Sequence, residues 1–250
     1  MNSFSATAIK TVTFAAMLTS AAEDKLKRHW LAMPETVARG FHHIIRIGSP
    51  WETVLAIANE AACDLIVLGL HRLDPLKDMF IGTTAERIIR NSTLPVLVVK
   101  DKPLGPYRKV LVGTDFSPCS SHALQAALAL VPHARFHLFH AFETPFPAFI
   151  QFRPDDLEAW RRERLDKAVA QVKLDLEQFL MPHIGGTKPQ ITTLVERGEI
   201  AGVVASMLRQ HQPDLLVFGT HGRSGVAGAL MGSVAVSFLN SPPCDVLVSR

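Results

Sequence analysis

Four residues in the last third of the chain are spaced as an anion would need them. Gly219 and Gly222 flank Thr220-His221, and Gly232-Ser233 follows ten positions after Gly222. The first two glycines come directly after an apolar run, Asp214–Phe218, and the last stands where a short helix can open. A phosphate requires close backbone approach, which glycine permits. It also requires exposed N–H groups, which a helix start supplies with a favourable dipole. Ser233 adds a hydroxyl donor, and Arg223 is placed to add charge, although it reads equally well as a solvated loop side chain. No lysine follows the last glycine, so this is neither a P-loop nor a dinucleotide fingerprint. A second strand end, Gly113-Thr114-Asp115, offers a carboxylate. Asp115 is placed to meet a ribose hydroxyl or a metal held by phosphates, or simply to cap the helix that follows. The plain alternative for the glycines is a loop that only joins strand to helix.

Other chemistry is weaker. Among eleven histidines, His42-His43, His137 and His140 come nearest to clusters. His137 and His140 fall on opposite faces of one strand and share no site. Ser117, Ser120 and Ser121 stand near His122, but no nucleophile elbow surrounds them. Cys63, Cys119 and Cys244 match no metal spacing. An odd, sparse count suits a reducing cytoplasm, with the thiols as small apolar fillers.

The elements that must position these residues emerge from an internal repeat. Residues 64–98 align without a gap on residues 214–248, at an offset of 150. Asp64 meets Asp214, Gly69 meets Gly219, His71 meets His221, Gly82 meets Gly232, and Val96-Leu97-Val98 meets Val246-Leu247-Val248. Gly48 and Gly198 keep the same register. The second copy reads as strand Lys109–Thr114, a helix starting at Ser117-Pro118, strand Arg135–Phe142, helix Pro154–Leu180, strand Gln190–Glu196, helix Glu199–Gln210, strand Asp214–Gly219, helix Gly232–Leu239 and strand Asp245–Ser249. Alternating strands and helices predict an α/β fold, a parallel sheet with helices on both faces. Such sheets bind ligands outside the carboxyl ends of their strands, where strand order reverses. The first copy shows only the back elements: helix Ala21–Met33, strand His42–Ile47, helix Trp51–Ala62, strand Asp64–Leu68, helix Thr83–Asn91 and strand Pro95–Val99. The domains are expected at 1–102 and 107–250, with 103–106, carrying Pro103, Gly105 and Pro106, as linker.

The 250 residues are 48% hydrophobic and 20% charged, a globular composition with enough chain for a real core. Residues 1–105 carry 12 basic and 10 acidic groups, and residues 106–250 carry 14 and 13. Neither half is a polycation, so nucleic acid is not an expected partner. No run approaches the roughly 18 apolar residues of a membrane span. Thr11–Ala22 is too thinly charged at its start, and too rich in threonine, to be expected as a signal peptide. Phe146, Phe149 and Phe152 sit in a proline-rich stretch that reads either as a lid or partner surface, or as rings tucked under the long helix.

With these residues in view, positions 107–250 resemble a complete universal stress protein domain. The family's nucleotide-binding members carry Gly-x2-Gly-x9-Gly-Ser/Thr, matched here by Gly219, Gly222, Gly232 and Ser233 together with the first-strand aspartate Asp115. Residues 42–100 resemble the back half of a second such domain. The resemblance implies two doubly wound domains, the first incomplete, with strand order 3-2-1-4-5 in the second. It further implies ATP or a related adenine nucleotide, with or without Mg2+, at the switch point. Domains are expected to pair through their last strands, within the chain or in a homodimer. The adenine would meet backbone near Ala141, Gly219 would lie near the ribose, and Thr114, Asp115, Gly222, Arg223, Gly232 and Ser233 complete the site. In the first copy Arg72 replaces Gly222, and the aspartate-bearing strand has no counterpart, so no nucleotide is expected there. Its strand Asp64–Leu68 is left with an open edge, to be covered by Ile9–Leu18, by another chain, or by residues upstream of an assigned start. The expected role is nucleotide-dependent regulation in a stress response in the cytoplasm. Turnover would be at most slow ATP hydrolysis or self-phosphorylation at Ser233. The alternatives are an interaction or chaperone-like protein without nucleotide, and a slow ATP hydrolase.

Overall fold

A computed structural model describes residues 20–26, 28, 44–70, 82–102, 105–143, 154–184, 190–220 and 233–250, with backbone alone for 154–161, 233 and 234. Residues 1–57 and 58–250 form two compact units. In the first, residues 20–26 are helical. Helix α1, Pro50–Glu60, starts there, with Thr53 N–H donating to Ser49 O at 2.9 Å. The strand expected at His42–Ile47 is not formed: residues 44–47 carry no strand pairing, and Ile44 and Ile47 are 52% and 64% exposed. Among the described residues no strand pairs with this segment, and a strand without a ladder leaves its backbone groups to water. His42, His43 and the suggested replacement strand Ile9–Leu18 lie outside the described residues.

The second unit holds a seven-stranded sheet. In chain order it comprises β1 Ile66–Gly69, α2 Thr83–Asn91, β2 Val96–Val99, β3 Lys109–Gly113, α3 Pro118–Leu130, β4 Arg135–Phe142 and α4 Pro154–Leu180. A short 3-10 turn, Met181–His183, then leads to β5 Gln190–Arg197, α5 Ile200–His211, β6 Leu215–Gly219, α6 Ser233–Asn240 and β7 Asp245–Ser249. The sheet order is β1-β2-β7-β6-β3-β4-β5. From β5 to β7 this is the expected 3-2-1-4-5 order of the second copy, parallel throughout. The first copy adds β2 antiparallel to β7, with Leu97 opposite Leu247, its own repeat mate. The pairing is therefore self-complementary, as a two-fold interface is. The two copies thus join through their last strands within one chain.

Val110, Val112, Leu215, Val217, Leu247 and Leu97 share one core with Ala123, Leu124 and Ala127 of α3 and Leu176 and Leu180 of α4. These near-continuous apolar strands are what a sheet covered on both faces demands. Repeat mates measure what the complete copy has gained. Val217, between β7 and β3, is fully buried, whereas Val67 on edge strand β1 is 57% exposed.

Beyond the ladder, one carboxylate seals the joint between the copies. Asp245 Oδ1 accepts the N–H of Lys100 at 2.8 Å, and its Oδ2 accepts the hydroxyl of Tyr107 at 2.5 Å. Burial, and then the Asp245 bond and charge, push the Tyr107 pKa above the usual phenol range, so it remains a donor. Neighbouring Cys244 is pushed up to about 12, by burial first and by the Asp245 charge second. Its thiol stays neutral and inert. Asp214, just ahead of β6, acts in a similar way: its Oδ2 accepts the N–H groups of Arg108 and Lys109 at 2.8 and 2.9 Å. These bonds hold the start of β3 against β6.

Tyr107→Phe removes a hydrogen bond to a charged acceptor and should lower stability by about 1–2 kcal/mol, seen as a lower urea midpoint at unchanged slope. In the same assay Val217→Thr should cost about 1–3 kcal/mol by burying a hydroxyl. Val67→Thr, on the exposed repeat mate, should stay within about 0.5 kcal/mol of the parent.

Candidate functional site

Strand order reverses between β3 and β6. From β3 the chain moves outward through β4 to β5, then returns to β6 on the other side of β3. The crevice at the carboxyl ends of β3 and β6 is thus the switch point where parallel sheets take ligands. Asp115 follows β3 there, Gly219 ends β6, and Ala141 stands one strand away near the end of β4.

The turn from β3 into α3 is held by a dense hydroxyl network. Thr114 is buried; its N–H donates to Phe139 O at 3.0 Å, and its Oγ1 accepts the N–H of Phe116 at 3.0 Å. The same Oγ1 lies 3.0 Å from Ser120 Oγ, which also donates to Ser117 O at 2.9 Å. Ser117 caps α3 as its sequence predicts, its Oγ accepting the N–H of Ser120 at 3.2 Å, with Pro118 in the first turn. Asp115 Oδ1 accepts the N–H of Ser117 at 3.1 Å, an Asx turn that leads into the helix, whose cap is Ser117 and not Asp115. Phe116 adopts φ 65°, a left-handed conformation that costs a bulky residue of order 1–3 kcal/mol. Its ring is packed against His140 at 4.5 Å and Phe179 at 5.9 Å.

His140 was readable in sequence only as a stray strand histidine; here it clamps the turn. Its Nδ1 lies 2.7 Å from Thr114 O, and because a carbonyl only accepts, Nδ1 carries the proton. Sequence reasoning also missed Ser121 Oγ against His183 Nε2 at 3.0 Å, a pair separated by 62 positions. His122, the apparent partner of Ser121, instead donates from Nδ1 to Arg250 O at 2.8 Å. Adjacent helical positions point 100° apart and do not meet. His183 Nδ1 is buried without a hydrogen-bond partner. A catalytic triad would place an orienting acid there. The pair therefore fastens α3 to the end of α4, and no catalytic role is assigned to it.

Gly219 and Gly113 are small for reasons of packing. A Cβ on Gly219 would lie 2.7 Å from Ser120 N and 2.8 Å from Cys119 C, in the backbone of α3's first turn. On Gly113 it would meet the Phe218 ring at 2.5 Å. On Gly69, the repeat mate of Gly219, it would meet nothing within 4 Å. The helix turn that crowds Gly219 thus has no counterpart at Gly69 among the described residues. Thr220 is buried, its N–H donating to Ser249 O at 2.8 Å. Thr114, Asp115 and Gly219 are brought to one crevice, with Ala141 beside it on β4. Gly222, Arg223 and Gly232 lie outside the described residues, as do Arg72 and the phenylalanines at 146, 149 and 152. Ser233 is the first residue of α6, and its side chain lies outside the description too. Among the described residues there is no group of three or more metal-ligating side chains, and no helix is long and apolar enough to cross a membrane.

Gly219→Ala should therefore destabilise the fold by about 1–3 kcal/mol through overpacking, and Gly69→Ala should not, as thermal unfolding of the two variants would report.

The chain is similar to known proteins along most of its length. The model of the universal stress protein family matches twice, over residues 4–100 and 106–250. Universal stress protein E of Salmonella typhi is 24% identical over 212 residues, 80% of this chain and 65% of that protein. A universal stress protein of Mycobacterium bovis is 28% identical over 211 residues, 81% of this chain and 66% of that protein. The chain thus spans just under two thirds of the length of these relatives. Among solved structures, a universal stress protein of Archaeoglobus fulgidus superposes with TM-score 0.62 at 17% identity, covering 94% of this chain and 80% of that one. A Pseudomonas aeruginosa protein does so at 0.61 and 22%, covering 92% and 77%. At such identity these two speak for the fold alone. Two copies of one family pattern, joined in one sheet, make this chain a tandem member of the universal stress protein family, whose role lies in the stress response.

Proposed function

We propose that the second copy binds ATP or a related adenine nucleotide at the β3/β6 crevice, and that the protein acts in the cytoplasm as a nucleotide-dependent stress regulator. One observation carries this reading: Asp115 and Gly219 stand at the carboxyl ends of adjacent parallel strands where the strand order reverses. The glycine spacing from Gly219 to Ser233 supports it independently. The residues present fit such a ligand. Asp115 accepts the Ser117 N–H in an Asx turn and is half-buried where β3 ends at the crevice. It would take the ribose hydroxyls, or Mg2+ if the phosphates carry it. Main chain near Ala141 would meet the adenine. Thr114 keeps the turn in shape, while Gly222, Arg223, Gly232 and Ser233 would surround the phosphates. Gly219 lets α3 approach and so contributes indirectly. The corresponding domain division is 1–102, 103–106 and 107–250. The first copy takes no nucleotide, because Gly69 faces no helix and β1 has no strand like β3 beside it among the described residues.

No base is positioned to activate water among the described residues, so the nucleotide would be a bound signal and turnover slow at most. The 57% exposure of Val67 favours a second reading, in which the first copy presents an interaction edge and needs no nucleotide.

Mass spectrometry of purified protein, released under denaturing conditions, should detect ATP or ADP. Gly222→Arg, which copies Arg72 into the second domain, should abolish that signal; full retention would refute the placement. Asp115→Asn preserves the bond to the Ser117 N–H, since asparagine forms the same Asx turn. It should leave stability unchanged while weakening ATP about tenfold, the scale of one charged hydrogen bond, measured by calorimetric titration.

A further inference from the structure

Two buried side-chain polar atoms among the described residues lack a hydrogen-bond partner, and both are histidine Nδ1 atoms: His137 and His183. They lie on different elements but share one arrangement. His137, on β4, stacks against His211 in the last turn of α5, with ring centroids 4.2 Å apart and planes at 35°. In the ladder it stands between Leu111 of β3 and Thr192 of β5, and Lys109 is the charged group facing it from β3. His183, in the 3-10 turn after α4, holds Ser121 of α3 at 3.0 Å and packs on Phe179 of α4 at 5.5 Å. The titratable group facing it is His122, also from α3.

An imidazolium donates through both nitrogens and needs an acceptor for each. Neither site offers one at Nδ1. Protonation would therefore bury an unpaired charged donor, facing His211 and Lys109 in one site and His122 in the other. Both effects have the same sign. We propose that His137 and His183 are paired acid-sensitive latches, which at neutral pH hold the end of α5 and the end of α4 in place and release them in mild acid. The two elements so held frame β6. The α5 turn leads directly into that strand, and α3, which His183 fastens to α4, presses its first turn on Gly219. Release of His183 would loosen the α3 flank of the candidate crevice, and release of His137 would loosen the amino end of β6, both without any ligand.

Burial, followed by His211 and Lys109, lowers the His137 pKa below its ordinary 6.5. Burial, followed by His122, does the same for His183. Below pH 6.5 the unfolded chain takes up protons that the folded form refuses. The stabilisation is therefore complete above that pH and is lost as pH falls toward the folded values. Each histidine can change the folding equilibrium constant by up to about tenfold per pH unit across that window.

The test is urea unfolding between pH 7.5 and 5 of the parent, His137→Gln, His183→Gln and the double variant. The parent should lose up to about a hundredfold in folding constant per pH unit within the window. Each single variant should lose about half of that logarithmic slope, and the double variant nearly all. A double variant with the parent's slope would overturn the proposal. Should a variant fail to fold, proton NMR titration of the parent decides: both histidines must titrate below 6.5 in the native state. Native titration at or above that value overturns the proposal. Hydrogen exchange of the parent, corrected for intrinsic rates, should show protection lost first at 207–212 and 176–183 on acidification. Uniform loss across the sheet would count against latches.

Discussion

Backbone groups along a strand edge must find partners, and the arrangement of this protein follows from where they find them. β3 is paired on both sides, by β4 and by β6, and this central position buries Val217, brings α3 over Gly219 and creates the crevice. β7 would be an edge in an isolated copy. Here β2 of the first copy takes that place, with Leu97 set opposite Leu247. β1 finds a partner only in β2 among the described residues, and its Val67 remains exposed. The same residues in two copies thus have opposite fates, decided by one strand and its helix.

That strand also sets the chemistry. The turn after β3 is fixed by Thr114, Ser117 and Ser120, whose hydroxyls satisfy the first amides of α3 and support Phe116 in a strained conformation. Backbone strain persists only where neighbours over-determine it. Here the ring contacts to His140 and Phe179, with the His140 bond to the Thr114 carbonyl, do so. The result is a hydrogen-bonded turn that places Asp115 and Gly219 at the carboxyl ends of adjacent strands. A nucleotide reading is consistent with that turn because phosphate and adenine recognition in such folds relies on backbone approach.

Histidine does more structural than catalytic work here. His140, His183, His137 and His122 each bond or stack across elements, and Ser121 is occupied by one of them. A hydroxyl beside an imidazole suggests a nucleophile, but the missing acceptor on His183 Nδ1 argues for a fastening that depends on a neutral ring. The same missing acceptor makes the fastening sensitive to protons.

The α/β class, the gapless repeat and the strand and helix spans of the second copy were legible in the chain, because apolar periodicity, Ser117-Pro118 and the glycines act locally. Asp115 and Gly219 were legible as candidates for the same reason. Their meaning was not. Whether Gly219 makes room for a ligand or for α3 depends on distances between residues a hundred positions apart. So do the Ser121–His183 bond, the His137–His211 stack and the Asp245–Tyr107 seal, which join elements that no spacing rule relates. The failed strand at 44–47 has the same origin: a strand pattern states what a segment would bury, but only the fold decides whether a neighbour is there to pair with it.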